Sequence, residues 1–303
     1  MQKKENKNNE DKNFAHAVIS WYPGHMAKTR RQITEDLKLI DVVIELLDAR
    51  IPISSRNPDI KMLTKSKKKI ILLNKCDMAN ENENSRWVQY LSKEAPTLLT
   101  DSNSGKGVDK VTKTIDKIME EEKQRQAARG RINKTTRVMI LGIPNVGKSS
   151  FINRIAKKST LQVGNKPGVT IQKQWIRISK DQELLDTPGV LWPKFESNEV
   201  ALNLAFTGTI KDDIIERVDV AYELIKILKR DYLSNLQERY KILDEEIKEI
   251  NNTSNPEYEL MLLIGRKRGA LVSGGNTDDE KIARIILDDF RNCKIGKITL
   301  ERP

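Results

Sequence analysis

The sequence Gly-Ile-Pro-Asn-Val-Gly-Lys-Ser at residues 142–149 decides the fold of the region around it. It follows the apolar run Arg-Val-Met-Ile-Leu-Gly at 137–142 and opens a helical pattern at 148–156, so it joins a predicted strand to a predicted helix. The glycines allow backbone N–H groups to close around phosphate oxygens. The stretch therefore predicts a phosphate-binding loop at the N-terminus of a helix, where the helix dipole favours an anion.

Each position of this loop has a predicted role at the phosphates of a nucleotide. Lys148 is expected to reach the β- and γ-phosphates, and Ser149 is expected to ligate Mg²⁺. The predicted phosphate-contacting residues are Asn145, Val146, Gly147, Lys148, Ser149 and Ser150.

Two further motifs after this loop are expected to sense the γ-phosphate and the metal. Asp-Thr-Pro-Gly at 186–189 ends the next predicted strand, where Asp186 can hold Mg²⁺ and the Gly189 N–H can contact the γ-phosphate. Thr170, in Lys-Pro-Gly-Val-Thr, stands where a Mg²⁺-binding switch threonine belongs. The alternatives are an ordinary turn at 186–189 and a loop threonine after a Pro-Gly turn.

Asn-Lys-Cys-Asp at 74–77, after the apolar run 69–74, predicts recognition of guanine. The Asp77 carboxylate can accept hydrogen bonds from guanine N1–H and N2–H₂, whereas adenine offers no such pair of donors, so GTP is favoured over ATP. Asn74 is expected to tie this loop to the phosphate loop, and the Lys75 stem to cover the base. A second base-contacting loop is expected after the run 97–100. The base-contacting set is Asn74, Lys75, Cys76, Asp77, Ser102 and Asn103.

The order of these motifs predicts a circularly permuted GTPase domain. In Ras-like proteins the phosphate loop comes first, whereas here both base-contacting segments precede it. A parallel sheet tolerates this order because the spatial arrangement of its loops binds the ligand, and chain ends can be relocated.

Strands alternating with helices predict an α/β fold, a mainly parallel sheet with helices on both faces. The run at 174–179 alternates as an exposed or edge strand. After about residue 196 only helical patterns remain, and Thr277 with Glu280 predicts a capping box. The predicted organisation is a disordered tail at 1–14, the GTPase domain at 15–195 and an all-helical domain at 196–303.

The net charge of +11 is unevenly distributed. Residues 1–195 hold 37 basic and 22 acidic side chains, whereas residues 196–303 hold 17 and 21. Five lysines crowd positions 61–69, and six basic residues with no acid lie in 123–137. Such fields favour contact with nucleic acid or the ribosome, although any single lysine is also compatible with a solvated surface.

The remaining composition indicates a cytoplasmic protein without a membrane partner, and we expect it to be a monomer. No apolar run approaches the roughly 20 residues that span a bilayer. Cys76 and Cys293 have neither metal-ligand nor redox-pair spacing, which is typical of a reducing compartment.

The catalytic group is the least defined part of the predicted site. Ras-like enzymes orient the attacking water with a glutamine just after the motif glycine, but here that position is Val190, which cannot orient water. Asn145 could help bind a monovalent cation that stabilises transition-state charge. His25, in Trp-Tyr-Pro-Gly-His-Met at 21–26, is a second candidate, although a lone histidine is more often a surface or core residue.

Taken together, the motifs resemble the YlqF-type circularly permuted GTPases, the ribosome biogenesis GTPase A family. The resemblance covers about residues 20–303 and includes Asp-Ala-Arg-Ile-Pro-Ile-Ser-Ser-Arg-Asn-Pro at 48–58 and the closing Thr-Leu-Glu-Arg-Pro. It implies late assembly of the bacterial large ribosomal subunit, binding to a precursor particle and its 23S ribosomal RNA, and hydrolysis stimulated by that particle.

The same resemblance implies roles for individual residues. The family's catalytic histidine falls on His25, its hydrophobic substitution for glutamine on Val190, and its potassium-dependence asparagine on Asn145. The family's helical domain contacts ribosomal RNA. In this chain that domain is net acidic, so the RNA contact must use local basic patches such as Arg266, Lys267 and Arg268. Two functions stay open: a GTP hydrolase stimulated by the ribosome, and a GTP-gated RNA-binding module in which hydrolysis is incidental.

Overall fold

The computed structural model describes residues 25–130, 134–158, 175–187, 189, 191, 195, 197–272 and 276–303, with only the backbone described for 25–29 and 158. The predicted tail at 1–14, Thr170 and Val190 lie outside these residues.

The described residues form two compact units. Those within Trp21–Pro193, together with Glu301–Pro303, form the sheet unit, and those within Lys194–Leu300 form the helical unit. The elements of the sheet unit are α1 (His25–Leu37), β1 (Val42–Asp48), α2 (Pro58–Leu63), β2 (Lys68–Asn74), α3 (Glu81–Leu91), β3 (Thr97–Leu99), α4 (Asp109–Ala128), β4 (Thr136–Leu141), α5 (Lys148–Lys158), β5 (Trp175–Ser179) and β6 (Gln182–Leu185).

The sheet has the strand order β3-β2-β1-β4-β6-β5. Strand β1 pairs in parallel with β2 and β4, β2 with β3, and β4 with β6. Among the described strands only β5 is antiparallel, and it lies at the edge, as its alternating sequence predicts. The predicted mainly parallel α/β sheet is confirmed.

Helices cover both faces of this sheet. On one face, Ile33 of α1 packs with Val43 and Met139, while Trp87 of α3 packs with Ile71. On the opposite face, the Lys68 ammonium donates a hydrogen bond to the backbone carbonyl of Ile118 in α4, at 2.5 Å. Because β1 is enclosed on both sides, all seven of its residues are buried, as in other central parallel strands.

The carboxylate of Glu45 is buried in the middle of β1. Arg56 donates two hydrogen bonds to it, at 2.9 and 2.8 Å, and the Lys69 ammonium lies 3.2 Å away. A buried charge is tolerated when it is paired and hydrogen-bonded, and here both conditions hold.

The helical unit confirms the all-helical prediction for the C-terminal third. Its elements are α6 (Asn198–Phe206), α7 (Arg217–Asp231), α8 (Leu233–Tyr240), α9 (Asp244–Asn251), α10 (Pro256–Lys267) and α11 (Asp279–Arg291). Helix α7 contacts α6, α8, α10 and α11 and buries Val220, Leu224 and Leu228 in the core. None of the described helices combines the length and apolar character needed to cross a bilayer.

The predicted capping box at Thr277 is wrong. The N-cap of α11 is Asp278, whose carboxylate accepts a hydrogen bond from the Lys281 N–H at 3.0 Å. Thr277 instead forms an isolated antiparallel bridge with Leu271, so its backbone is extended one residue before the cap.

Residues 301–303 belong to the sheet unit, although the sequence grouped them with the helical domain. The buried Glu301 carboxylate accepts hydrogen bonds from the N–H groups of Ile53 at 2.6 Å and Ser54 at 2.9 Å, and from the Ser54 hydroxyl. The indole N–H of Trp87 donates to the Glu301 carbonyl at 3.3 Å. The Glu301 side chain therefore fixes the loop that follows β1.

Replacing Glu301 by Ala should lower the free energy of unfolding of the sheet unit by about 2–3 kcal/mol, because two backbone donors lose a charged acceptor. Urea unfolding followed by circular dichroism measures the loss. Glu301→Gln keeps the shape and one acceptor, so a smaller loss is expected, and Glu120→Ala, on the exposed side of α4, is the matched control. Equal midpoints for Glu301→Ala and the control would contradict the assigned anchor.

Candidate nucleotide site

The predicted site residues lie in loops at one edge of the sheet. Parallel strands β1, β2, β3, β4 and β6 all end at this edge, and the loops after β2, β3, β4 and β6 carry parts of the predicted site. Ligands of open α/β sheets bind at the carboxyl ends of the strands. The strand order therefore brings the early base motif and the later phosphate motif together at the carboxyl ends of the strands.

The phosphate loop connects β4 to α5 in a tight path that requires glycine at position 147. Gly147 has φ +100°, and a Cβ atom there would lie 2.4 Å from the Asn74 amide nitrogen. Asn145, with φ +59°, is also left-handed, a region that asparagine tolerates better than most residues. The loop is thus shaped by its own backbone and by close contact with the base motif.

Lys148 is buried beneath the loop. Its ammonium donates hydrogen bonds to the carbonyls of Gly142 at 3.0 Å and Ile143 at 2.9 Å. Burial lowers the pKa of Lys148 to about 8, and the charge of Asp186 partly opposes this shift. The Lys148 ammonium is therefore held beneath the loop by carbonyl acceptors, and a bound anion would stabilise its positive charge.

A pocket of about 530 Å³ opens beside this lysine. It is lined by Pro144, Asn145, Lys148, Ser149, Asp186, Thr187 and Gly189. The Thr187 hydroxyl donates to the Ile140 carbonyl of β4, which fixes the start of the loop after β6. Five residues predicted for phosphate and metal therefore share one cavity: Asn145, Lys148, Ser149, Asp186 and Gly189.

The donor set of this pocket fits Mg²⁺. The Ser149 hydroxyl and the Asp186 carboxylate are hard oxygen donors, which this ion prefers. Partial desolvation raises the pKa of Asp186, and Lys148 opposes the shift. Among the described residues there is no cluster of three or more His, Cys, Asp or Glu suited to a metal. Mg²⁺ commonly takes its further ligands from water and substrate phosphates.

The side chain of Asn74 joins three loops. Its amide nitrogen donates to the Val146 carbonyl of the phosphate loop at 2.8 Å. Its amide oxygen accepts from the Ser102 hydroxyl at 2.7 Å and the Ser102 N–H at 3.1 Å. The predicted tie between the base and phosphate loops is present, and Ser102 serves that tie through both of its donors.

The ammonium of Lys75 bridges the phosphate loop and the end of β1. It donates to the Asn145 carbonyl at 2.7 Å and lies 3.0 Å from the Asp48 carboxylate. Asp48 is buried, and Arg50 donates to it from its backbone N–H and its guanidinium, at 2.8–3.0 Å. Burial favours a raised pKa for Asp48, but Arg50 and Lys75 hold it well below the usual range.

Asp48 and Arg50 adjoin the candidate site, although the sequence motifs assign no site role to them. The available signal is an acid at the end of a fully buried strand in which every other residue except Glu45 is apolar. Such a charge needs a partner, and Asp48 lies opposite Asn74 in the β1–β2 register, directly beside Lys75.

Asp77 and Asn103 remain exposed at the mouth of the base region, whereas Cys76 is buried. Desolvation and the nearby Asp101 carboxylate raise the pKa of Asp77. Asp101 accepts hydrogen bonds from the N–H groups of Asn103 at 2.8 Å and Ser104 at 3.2 Å, which orders the turn after β3. Burial raises the pKa of the Cys76 thiol. The backbone N–H of Cys76 donates to the Thr100 carbonyl at 3.2 Å.

Several predicted residues do not enter this constellation. Thr170 and Val190 lie outside the described residues, and His25 is described only as the first backbone position of α1. Ser150, on α5, is exposed and does not line the pocket. The catalytic assignment therefore stays a prediction.

Comparison with known proteins agrees with this geometry. Residues 137–265 match the family model described as 50S ribosome-binding GTPase. Ribosome biogenesis GTPase A of Bacillus licheniformis is 45% identical over 289 residues, covering 94% of this chain and 99% of the relative. Mitochondrial ribosome-associated GTPase 1 of Mus musculus is 33% identical over 304 residues, covering 95% of this chain and 91% of the relative.

Solved structures show the same fold. The GDP-bound structure of TM YlqF is 26% identical, with a TM-score of 0.65, and the match covers 90% of this chain and 99% of that one. GNP-bound YlqF from T. maritima is 25% identical with a TM-score of 0.62, and the match covers 91% and 98%. The fold is thus a YlqF-like, circularly permuted P-loop fold, and the chain belongs to the ribosome biogenesis GTPase A family of GTP-hydrolysing enzymes.

Proposed function

We propose that this GTPase acts in late assembly of the bacterial large ribosomal subunit, binding a precursor particle and its 23S ribosomal RNA while GTP is bound. The observation that carries the nucleotide part is the pair of hydrogen bonds from Asn74 to Val146 and from Lys75 to Asn145. They hold the base loop against the phosphate loop. The names of its relatives support the ribosomal part.

In this proposal the phosphates of GTP occupy the pocket beside α5. Backbone N–H groups of Asn145 to Ser150 surround them, and Lys148 turns from the loop carbonyls toward the β- and γ-phosphates. Ser149, Thr170 and Asp186 would hold Mg²⁺, which would supply positive charge against the phosphates. The Gly189 N–H senses the γ-phosphate.

Guanine lies over the loops after β2 and β3. The Asp77 carboxylate accepts from N1–H and N2–H₂, the Lys75 stem covers one face of the base, and the exposed Asn103 lies beside it. Cys76 and Ser102 support the two base loops through the hydrogen bonds of their N–H groups to Thr100 and Asn74. The structure supports a rigid platform for this contact, because Asp48 fixes the Lys75 ammonium at 3.0 Å.

Hydrolysis in this proposal uses His25 to orient the attacking water, since Val190 offers no hydrogen bond. Asn145 would help to hold K⁺, which would supply positive charge to the phosphates. Asn145 is exposed and lines the phosphate pocket, which suits a residue that meets an incoming cation.

The helical unit contacts RNA through Arg266, Lys267 and Arg268 in this proposal. All three are exposed at the C-terminal end of α10. The Lys267 ammonium is already held by Glu246 at 2.8 Å and by the Lys241 carbonyl at 2.9 Å. The two arginines are therefore the stronger RNA contacts of this patch.

The second candidate function is a GTP-gated RNA-binding module in which hydrolysis is incidental. Val190 at the glutamine position favours it, because slow intrinsic turnover is then expected.

Replacing Asp77 by Asn should weaken GTP binding at least about 100-fold and favour xanthosine triphosphate, because two charge-assisted hydrogen bonds to guanine are lost. Competition of both nucleotides against a fluorescent GDP analogue measures the shift. Asp109→Asn, at the exposed start of α4, is the control. Unchanged GTP affinity in Asp77→Asn would refute the base contact.

Nucleotide affinity should fall as pH rises, because the pKa of Lys148 is about 8 without nucleotide and phosphate raises it. Below that pKa the ammonium is already charged, whereas above it a proton must be taken up on binding. GDP affinity is expected to drop about tenfold from about pH 7 to about pH 9. Fluorescence titration with GDP at each pH measures this change in affinity.

The matched variant for this pH dependence is Lys148→Ala. It should bind weakly at every pH and lose this slope, while retaining any contribution from titration of guanine itself. A wild-type to variant affinity ratio that does not change with pH would exclude Lys148 as the titrating group.

Single-turnover GTP hydrolysis tests the proposed function directly. Large-subunit precursor particles should accelerate it at least about tenfold. His25→Ala should slow the stimulated rate about 100-fold with little change in GTP affinity, while Arg31→Ala, exposed on the same helix, should match the wild type. Absence of stimulation by any ribosomal particle would favour the binding module, and a wild-type rate in His25→Ala would return His25 to a structural role.

A further inference from the structure

A second cavity, of about 650 Å³, lies on the sheet unit between α2, the start of β2 and the end of α3. Four lysines line it, and we name it the lysine groove. The lining side chains used below are Lys61, Met62, Lys65, Lys67, Lys69 and Glu94.

The lysine groove lies away from the nucleotide site. It adjoins the beginning of β2, whereas the base loop follows the end of that strand. Seven residues of strand separate the two, which corresponds to about 20 Å at the usual rise per residue. The groove shares no lining residue with the phosphate pocket.

The groove keeps a positive charge despite the carboxylate of Glu94. Arg56 donates to Glu94 at 2.7 and 2.5 Å, and the Lys69 ammonium lies 3.5 Å away. Partial burial opposes ionisation, but these cations hold the pKa of Glu94 below its usual range. Because Arg56 and Lys69 compensate this acid, the charges of Lys61, Lys65 and Lys67 remain to set the sign of the groove.

The other basic segment is differently arranged. Lys123 lies 2.8 Å from the carboxylate of Asp116 and 2.6 Å from that of Asp181. Arg125 is 3.8 Å from both Glu121 and Glu122. These acids reduce the field that a polyanion meets there, whereas Lys61 and Lys65 stand exposed at the rim of a concave surface.

In the sequence, the apolar side chain of Met62 lies between the two exposed lysines, Lys61 and Lys65. Met62 is 62% exposed, and it lines the same groove. A sugar–phosphate backbone offers anionic oxygens at regular spacing together with the less polar faces of ribose and base. This combination matches lysines that flank an exposed methionine.

We propose that the lysine groove binds the sugar–phosphate backbone of ribosomal RNA. The inference deepens the proposed function and rests on its RNA-binding part. It also accounts for the distribution of charge, because the positive excess lies in residues 1–195 while residues 196–303 carry more acids than bases.

Binding of the full chain to fragments of 23S ribosomal RNA tests the groove, measured by fluorescence anisotropy between about 50 and 200 mM salt. Lys61→Gln/Lys65→Gln should weaken binding about tenfold and reduce the slope of log K against log salt by about 1.4, since two phosphate contacts are lost. Lys61→Glu/Lys65→Glu should weaken it further.

The matched control is Lys113→Gln/Lys117→Gln, which removes the same charge at the same spacing from the exposed face of α4. It should leave the affinity and the salt slope unchanged. Basal GTP hydrolysis should be the same in all three variants, because the groove lies apart from the nucleotide.

The outcomes separate the groove from the proposed function. Wild-type binding in the groove variants, with loss in Arg266→Gln/Arg268→Gln, would overturn the groove and leave RNA binding in place. Loss of binding to precursor particles but not to naked RNA would assign the groove to a ribosomal protein and overturn the proposal. If the wild type binds no ribosomal RNA, the RNA part of the proposed function fails, and the groove proposal fails with it.

Discussion

The nucleotide site depends on one buried amide, the side chain of Asn74. It donates to the phosphate loop through its nitrogen and accepts from the loop after β3 through its oxygen. A side-chain amide does both at once through two separate atoms, whereas a carboxylate lacks the donor and an ammonium lacks the acceptor. Gly147 belongs to the same constraint, because a larger residue there would displace this amide. The relative position of three loops is therefore set at the end of β2.

The strand order makes the unusual order of motifs inconsequential for binding. Strands β2 and β4 both flank β1, so the loops that follow them meet over its end. Asp48 ends β1 between them and bonds with Lys75, which in turn holds the phosphate loop. Charge pairing at the end of the central strand thus complements the Asn74 amide, and neither depends on which motif is synthesised first.

Sequence alone gives most of the sheet and the ligand-facing motifs, because these rest on local signals. Runs of branched apolar residues mark the strands, and the glycine loop marks the start of α5. The helices α8 and α9 have eight residues each, so each offers only about two turns of sequence pattern from which to predict it. The capping residue of α11 shifts by one because Thr277 pairs with Leu271, a contact that no local pattern contains. The link from Asp48 to Lys75 also escapes prediction, since it requires the β1–β2 register.

The contact between Glu301 and Ile53 joins positions 248 residues apart. The sheet unit is therefore a discontinuous domain, with the whole helical unit inserted between its two pieces. During translation the N–H groups of Ile53 and Ser54 have no Glu301 carboxylate to donate to until all of α6 to α11 has been synthesised. Such non-local contacts form late in folding. A continuous fragment that ends before the helical unit consequently lacks this acceptor, whatever nucleotide it is given.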